Sequence, residues 1–188
     1  MNNYFDSPFK GVPLDQHVRN ELMKKEVLYL PELTLIGISD RTNNKNETTP
    51  ETAKILPIVQ CYFHQMLADK IPNRVKPTTT YCVYTDYASD EFGDYTYFIG
   101  EAVHERSDVP EGFSKIIIPA QNYVKFTNGP GTMPEVCSNA WKEIWNMSSE
   151  TLGGQRAYRA DFEIYDERAQ DHHQVELDIY IGINVDAP

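Results

Sequence analysis

Apolar and polar positions fall into a recurring order from residue 27 onward. Residues 30–39 alternate weakly and are apolar at Leu33, Leu35, Ile36 and Ile38, which predicts a strand. Thr49-Pro50-Glu51 then supplies a capping residue and a first-turn proline. Ile55, Ile58, Val59, Tyr62, Phe63, Met66 and Leu67 recur at helical spacing, so a helix with one buried face is expected to about residue 69. Pro57 lies inside that run and lacks a backbone donor, which predicts a loose turn before it and regular helix after it. Residues 78–87 and 94–103 are rich in Thr, Tyr and Val, with turn chemistry over 88–93, and read as a hairpin.

The same order returns in the second half. Residues 115–126 are strand-like, and Asn128-Gly129-Pro130-Gly131 punctuates. Residues 133–147 are helical, with Cys137, Ala140, Trp141, Ile144 and Trp145 on adjoining faces, and Gly153-Gly154 closes the segment. Residues 157–165 and 174–182 alternate strongly and are joined by a polar loop, giving a second hairpin. The expected fold is α+β: tandem duplicated β-α-β-β modules in a mixed or antiparallel sheet, with two helices on one face and a central ligand cleft. Residues 1–26 differ from the rest. Pro8, Gly11 and Pro13 break their first part, and 15–25 read as a short polar helix, so 1–26 are an N-terminal extension to a domain over 27–188. The extension is too short for a complete helix-turn-helix domain and has no basic face.

Parity along the last two strands separates two surfaces. Tyr158, Ala160, Phe162 and Ile164, with Val175, Leu177, Ile179 and Ile181 on the partner strand, are expected beneath the helices. The opposite surface would carry Arg159, Asp161, Glu163 and Tyr165 beside Glu176, Asp178 and Tyr180. Spacing alone favours a solvated sheet surface for such a face; the functional alternative is a pocket in which a carboxylate meets a cation between aromatic rings.

Composition bears on that choice. Hydrophobic residues make up 40% and charged residues 24% of the 188, so a packed core is expected. The formal net charge of −11 repels phosphate backbones and anionic lipid headgroups, which argues against nucleic-acid and membrane partners and favours cationic or neutral ligands. Twelve tyrosines exceed what a core comfortably satisfies, since each buried hydroxyl needs a partner. Tyr81, Tyr84, Tyr95, Tyr97, Tyr123, Tyr165 and Tyr180 fall in expected strands, while Trp141 and Trp145 lie one turn apart on the second helix.

Several chemistries find no support. Cys61, Cys82 and Cys137 are odd in number and outside any CxxC, as suits small core residues of a reducing compartment. His172-His173 beside Asp171 would point apart in extended chain and have no third ligand, so no metal is expected. GxSxG, HExxH and glycine-rich phosphate loops are absent, and no cofactor is implied. No run approaches the roughly 18 apolar residues of a membrane span, and the first ten residues lack a cationic region followed by an apolar stretch, so a cytoplasmic location is expected. Glu163 and Glu101 are the candidates for acid-base work, because a glutamate among rings has its neutral form favoured by desolvation.

The stretch Ile118-Pro119-Ala120-Gln121-Asn122-Tyr123-Val124-Lys125-Phe126, then Gly129-Pro130, Ala140-Trp141-Lys142-Glu143-Ile144-Trp145, Tyr158-Arg159-Ala160-Asp161-Phe162-Glu163-Ile164-Tyr165 and Glu176-Leu177-Asp178-Ile179-Tyr180-Ile181-Gly182, resembles GyrI-like proteins. These are effector-binding domains also found behind AraC-type DNA-binding regions. The resemblance runs from about residue 30 to the C-terminus, and the order of the motifs is its specific part. It implies a cleft between two modules that binds planar, often cationic, drugs and dyes, with a glutamate at the position of Glu163. The ligand-contacting residues expected on this basis are Glu163, Tyr165, Tyr180, Trp141, Trp145, Tyr97, Tyr123 and Phe126. It also implies an alternative, a hydrolase that opens cyclopropane-bearing or other electrophilic natural products with pocket glutamates activating water. A third reading is a protein-interaction inhibitor of DNA gyrase whose acidity mimics phosphate. With no DNA-binding region recognised in the sequence, transcriptional control would need a separate regulator as partner.

Overall fold

The computed structural model describes residues 23–184. Its strands are β1 (Met23–Leu30), β2 (Leu33–Thr42), β3 (Thr80–Thr85), β4 (Tyr95–Ala102), β5 (Ser114–Ile118), β6 (Gln121–Gly131), β7 (Gln155–Tyr165) and β8 (Val175–Asn184). The helices are α1 (Asn44–Glu47), α2 (Ile55–His64), α3 (Glu135–Trp145) and α4 (Ser149–Leu152). All eight strands join one sheet in the order β1-β6-β8-β7-β3-β4-β2-β5, and every neighbouring pair is antiparallel. No helix among the described residues is long and apolar enough to cross a membrane.

The duplication is visible in that order. β2-α2-β3-β4 lays down the strands β3-β4-β2, and β6-α3-β7-β8 lays down β7-β8-β6. The two triplets meet back to back at β3 and β7, the centre of the sheet. β1 and β5 are then exchanged: β1, which precedes the first module, pairs with β6 of the second, and β5, which precedes the second, pairs with β2 of the first.

That exchange bends the sheet. β1 and β2 are joined only through Pro31 and Glu32, and β5 and β6 only through Pro119 and Ala120, yet each pair lies six strand positions apart. Six spacings of a flat sheet would be about 29 Å, whereas three Cα steps reach about 11 Å. The sheet therefore curls until its ends approach, and its inner face becomes a second core. Leu28 and Leu30 of β1, Leu33 and Leu35 of β2, Ile116 and Ile118 of β5, and Tyr123 of β6 form one cluster there with Phe162 and Tyr180. The Tyr123 hydroxyl donates to the carbonyl of Pro119 at 3.0 Å and pins one of the two corners.

Both faces being buried corrects the parity assigned to the last hairpin. Register pairs Phe162 with Tyr180, whose rings stack at 4.6 Å, and Glu163 with Ile179. Ala160, Phe162 and Ile164 thus face the inner core, while Asp161, Glu163 and Tyr165 lie on the helix side with Val175, Leu177, Ile179 and Ile181. The apolar residues of β7 mark the curl of the sheet and not the helices.

Other boundaries also move. The single strand expected over 115–126 is two, because Pro119 breaks the ladder and the halves go to opposite ends of the sheet. β6 runs on through Asn128–Gly131 with a register shift where punctuation was expected. Pro57 is the third residue of α2, not a break before it, since first-turn N–H groups have no intrahelical acceptor. α2 ends at His64, and Met66, at φ 48°, turns the chain into a 3₁₀ turn at Leu67–Lys70. The polar helix expected over 15–25 and most of the 1–26 extension lie outside the described residues, but 23–26 belong to β1.

Gly129 tests the bulge between β6 and β8. Its φ is 106°, and an added Cβ would sit 2.3 Å from the carbonyl oxygen of Val175, whereas Gly112, at φ 80°, has nothing within 4 Å. Gly112→Ala is expected to cost about 1–2 kcal/mol from backbone strain alone, and Gly129→Ala at least about 2 kcal/mol more because strand pairing must also shift. Urea unfolding of both variants checks this, and equal losses would contradict the packing described.

Candidate functional site

The centre of the helix-side face is built on one rung across six strands: Phe126, Ile179, Glu163, Cys82, Ile99 and Ile38. Glu163 is the single charged member, on the central strand β7, and is 3% exposed. Its carboxylate is held by donors from three elements. Oε1 accepts from Trp141 Nε1 of α3 at 2.6 Å and from the Tyr84 hydroxyl of β3 at 2.9 Å, and Oε2 accepts from the Tyr165 hydroxyl at 2.7 Å. The Cys137 thiol adds a weak contact at 3.5 Å. Burial pushes the Glu163 carboxyl above its ordinary value, and the donors, Trp141 first, oppose that shift by stabilising the ionised form. Burial together with the Glu163 charge holds Tyr84 and Tyr165 well above the usual phenol range, so both stay protonated and donate.

Over this carboxylate lies a cleft of about 250 Å³ at the seam of the two modules. α3 contributes Ser138, Trp141, Lys142 and Trp145; the opposite wall is Asn44, Glu47 and Ile55 at the start of the first module's helices. Tyr84, Tyr87, Tyr95 and Glu91, from β3, β4 and their loop, with Arg156 of β7, complete it. The walls include a continuous aromatic band. Tyr158, Tyr87, Tyr95, Tyr84, Trp141 and Trp145 follow one another with centroid separations of 5.6, 5.7, 5.6, 5.0 and 6.0 Å. Three of these pairs are edge-to-face and two are tilted, and aromatic faces are surfaces on which a flat or cationic group packs.

The walls are held rigidly. Glu47 accepts from the backbone N–H groups of Lys54 at 2.9 Å and Ile55 at 3.2 Å, capping α2 with a carboxylate where the helix dipole is positive. It also accepts from the Thr42 hydroxyl. Thr49, read from sequence as the cap, lies in the preceding turn. On the far side, the register of β7 against β8 shifts between Arg156 and Asp161, with Tyr158 at φ 49° inside the bulge. Asp161 fills the bulge, accepting from Gly182 N at 2.9 Å, Tyr87 at 2.8 Å and Arg156 Nη2 at 2.6 Å.

The expected site residues divide accordingly. Trp141 and Trp145 line the cleft, the first buried and the second 49% exposed. Glu163 and Tyr165 lie in the layer behind Trp141 and Tyr84, and Tyr97 packs behind Tyr84 at 5.3 Å. Phe126 is in the core under α3, and Tyr123 and Tyr180 belong to the inner face of the sheet. Glu101 is paired with Arg74 at 3.4 Å and does not meet Glu163; burial raises its pKa and Arg74 opposes the rise. Tyr84 and Tyr95 were counted among the strand tyrosines but not among the expected ligand contacts, and Tyr87, Glu47, Glu91 and Arg156 were not singled out from sequence. For Tyr84 and Tyr95 a signal existed, an alternation of aromatics in the first hairpin; the other four depend on turns and a bulge that leave no period.

The fold and cleft define a tandem-module effector-binding domain of GyrI-like architecture, as the sequence resemblance implies. Residues 26–183 match the family Cass2, integron-associated effector binding protein, and the chain belongs to that family. It is 29% identical over 147 residues to YobU of Bacillus subtilis (strain 168), a candidate transcriptional regulator, covering 78% of this chain and 89% of YobU. Its fold is similar to that of the integron cassette protein VCH_CASS2 from the mobile metagenome of Vibrio cholerae, with a TM-score of 0.66, 24% identity, and coverage of 85% and 95% of the two chains. It is also similar to that of SAV2435, solved bound to tetraphenylphosphonium, with a TM-score of 0.68, 16% identity, and coverage of 86% and 94%.

Trp141→Phe keeps a smaller aromatic ring and removes one donor from a buried carboxylate, so an expected loss of about 1–3 kcal/mol from the donor, added to a pH-independent packing loss, appears at neutral pH. The raised folded-state pKa means that the carboxyl binds its proton more tightly when folded, so its contribution to stability falls as pH rises above 4.5 through the raised value. Removing a donor raises that value further. The Trp141→Phe loss in urea unfolding is therefore expected to be full above the raised value and to shrink as pH falls through it towards 4.5, and a loss independent of pH would contradict the assignment.

Proposed function

We propose that this chain is an effector-binding protein that takes a planar aromatic cation into the seam cleft, with the aromatic band as walls and Glu163 as the buried counter-charge. The observation that carries the reading is the ionisable group at the centre of an apolar rung, directly behind the cleft wall. A carboxylate there is costly to folding, and its donors come from the side chains that separate it from the cleft. The ligand found on SAV2435, a tetrahedral organic cation carrying four phenyl rings, supports the cationic and aromatic character of the ligand here and not its planarity, which rests on the cleft. The family's description as effector-binding supports ligand binding as such, while YobU supports a link to transcriptional regulation.

Magnitudes separate the contributions. Cation–π contact gives about 0.5–2 kcal/mol. A ligand charge about 6 Å from Glu163 gains about 3 kcal/mol at an effective dielectric constant of about 20, roughly a hundredfold in affinity. Discrimination for charge thus rests on Glu163 more than on the rings. Size is bounded as well: 250 Å³ exceeds the roughly 150 Å³ cavity that admits benzene and falls below the roughly 300 Å³ of drug-sized sites, which suits two fused rings.

Glu163→Gln is expected to weaken a quinolinium-type cation by about tenfold to a hundredfold and to change binding of the neutral quinoline-type isostere by less than about threefold. The chain's two tryptophans, Trp141 and Trp145, report binding by fluorescence quenching. Cation affinity of the unmodified protein should also fall as pH is lowered through the raised Glu163 pKa, because protonation removes the counter-charge. Equal losses for both ligands, or cation affinity flat with pH, would overturn the proposal.

A further inference from the structure

The charged lining of the cleft is not uniformly acidic, and its β7 end is built around a guanidinium. Arg156 lines the cleft with a side chain only 13% exposed. It lies over the Tyr158 ring at 4.6 Å and is fixed by a 2.6 Å ion pair to Asp161. Asp161 is itself anchored by Tyr87 and by the backbone of Gly182. Of the five N–H donors of this guanidinium, the one contact to Asp161 uses Nη2; Nε is buried without an acceptor, and Nη1 has no hydrogen bond. A staple whose whole purpose was to close the bulge would place its fork square on Asp161 and use two donors. Instead the bulge, at the expense of a non-glycine residue at φ 49°, places Arg156 in the cleft lining with Nη1 not engaged by Asp161. Glu91 accepts from the Tyr158 hydroxyl, so the ring under Arg156 is fixed too.

We infer that this end of the cleft is a second recognition subsite, in which Arg156 binds a planar oxygen acceptor of the ligand, a conjugated carboxylate or carboxamide. The inference rests on the proposed aromatic-cation site and narrows its ligand to an amphoteric one: a positive ring system over Trp141 and Tyr84 with an oxygen function directed to Arg156. Arginine suits that task because its planar fork meets a flat oxygen acceptor in the plane of the ring the acceptor is conjugated to, and because its charge persists at every working pH. Preorganisation by Asp161, Tyr87 and Tyr158 means that little rotamer freedom is lost on binding.

Three probes on one scaffold test it: 1-methylquinolinium, its 6-carboxamide and its 6-carboxylate inner salt, with neutral quinoline-6-carboxamide as a fourth. Calorimetry with the unmodified protein is expected to give about tenfold tighter binding for the acceptor-bearing cations than for the parent cation. A preference for the carboxylate alone assigns an anionic ligand group, and one shared by the carboxamide a neutral carbonyl; both support the subsite. Arg156→Lys keeps the charge opposite Asp161 and loses the fork, so it should abolish the preference among the probes. The comparison among probes needs no variant and survives misfolding of the lysine form. Equal affinity for parent and acceptor-bearing cations, or a preference that persists in Arg156→Lys, overturns the subsite and leaves the cation site standing. Quinoline-6-carboxamide binding as tightly as its cationic counterpart overturns the cation reading and retains the subsite. Failure of all four probes overturns both.

Discussion

One buried carboxylate constrains this molecule more than any other group. Glu163 stands on the innermost strand, in a rung otherwise composed of Phe126, Ile179, Cys82, Ile99 and Ile38, where an ionised oxygen has no water to turn to. Its partners therefore have to come from the protein, and they do so from elements of both modules: Tyr84 from β3, Trp141 from α3 and Tyr165 from its own strand. The position of α3 over the sheet and the rotamers of two tyrosines are tied to the same three contacts. Trp141 and Tyr84 also line the cleft, so in the proposed reading ligand and carboxylate share the same layer of side chains.

The duplicated topology explains why the cleft lies at the seam. Each module places its helix over its own strands, and the middle of an antiparallel pairing between modules is left to side chains reaching from both sides. Exchange of β1 and β5 between the modules then curls the sheet and fills its inner face with Leu, Ile, Tyr and Phe. The consequence for the cleft is a floor and walls of different construction. The floor is a two-sided β core, whereas the walls are a four-residue helix, a hairpin loop and an eleven-residue helix whose last tryptophan is half exposed.

Much of this was legible in the sequence, and the failures have physical causes. The two β-α-β-β units, both hairpins and Glu163 itself follow from periodicity and from the GyrI-like motif order, because helical stripes and strand alternation are local. The face on which Glu163 lies was assigned to the side away from the helices. Alternation of Phe162 and Glu163 signals one buried face, but here both are buried, and only the curl imposed by the links at Pro31 and Pro119 says which core takes the apolar set. Arg156, Glu91 and Glu47 escaped notice for a related reason. A bulge, a turn and a helix cap bring them to the cleft, and none of the three repeats at a fixed interval.

The central claim is that the Glu163 carboxyl and a cation in the cleft are electrostatically coupled through one layer of rings. Titrating the side-chain carboxyl carbon of Glu163 by ¹³C NMR, with Glu163→Gln assigning the resonance, measures that coupling directly. The account predicts a midpoint above the ordinary glutamate value in the free protein, falling when an aromatic cation is bound and unchanged by its neutral isostere. A midpoint that neither ligand moves would contradict it.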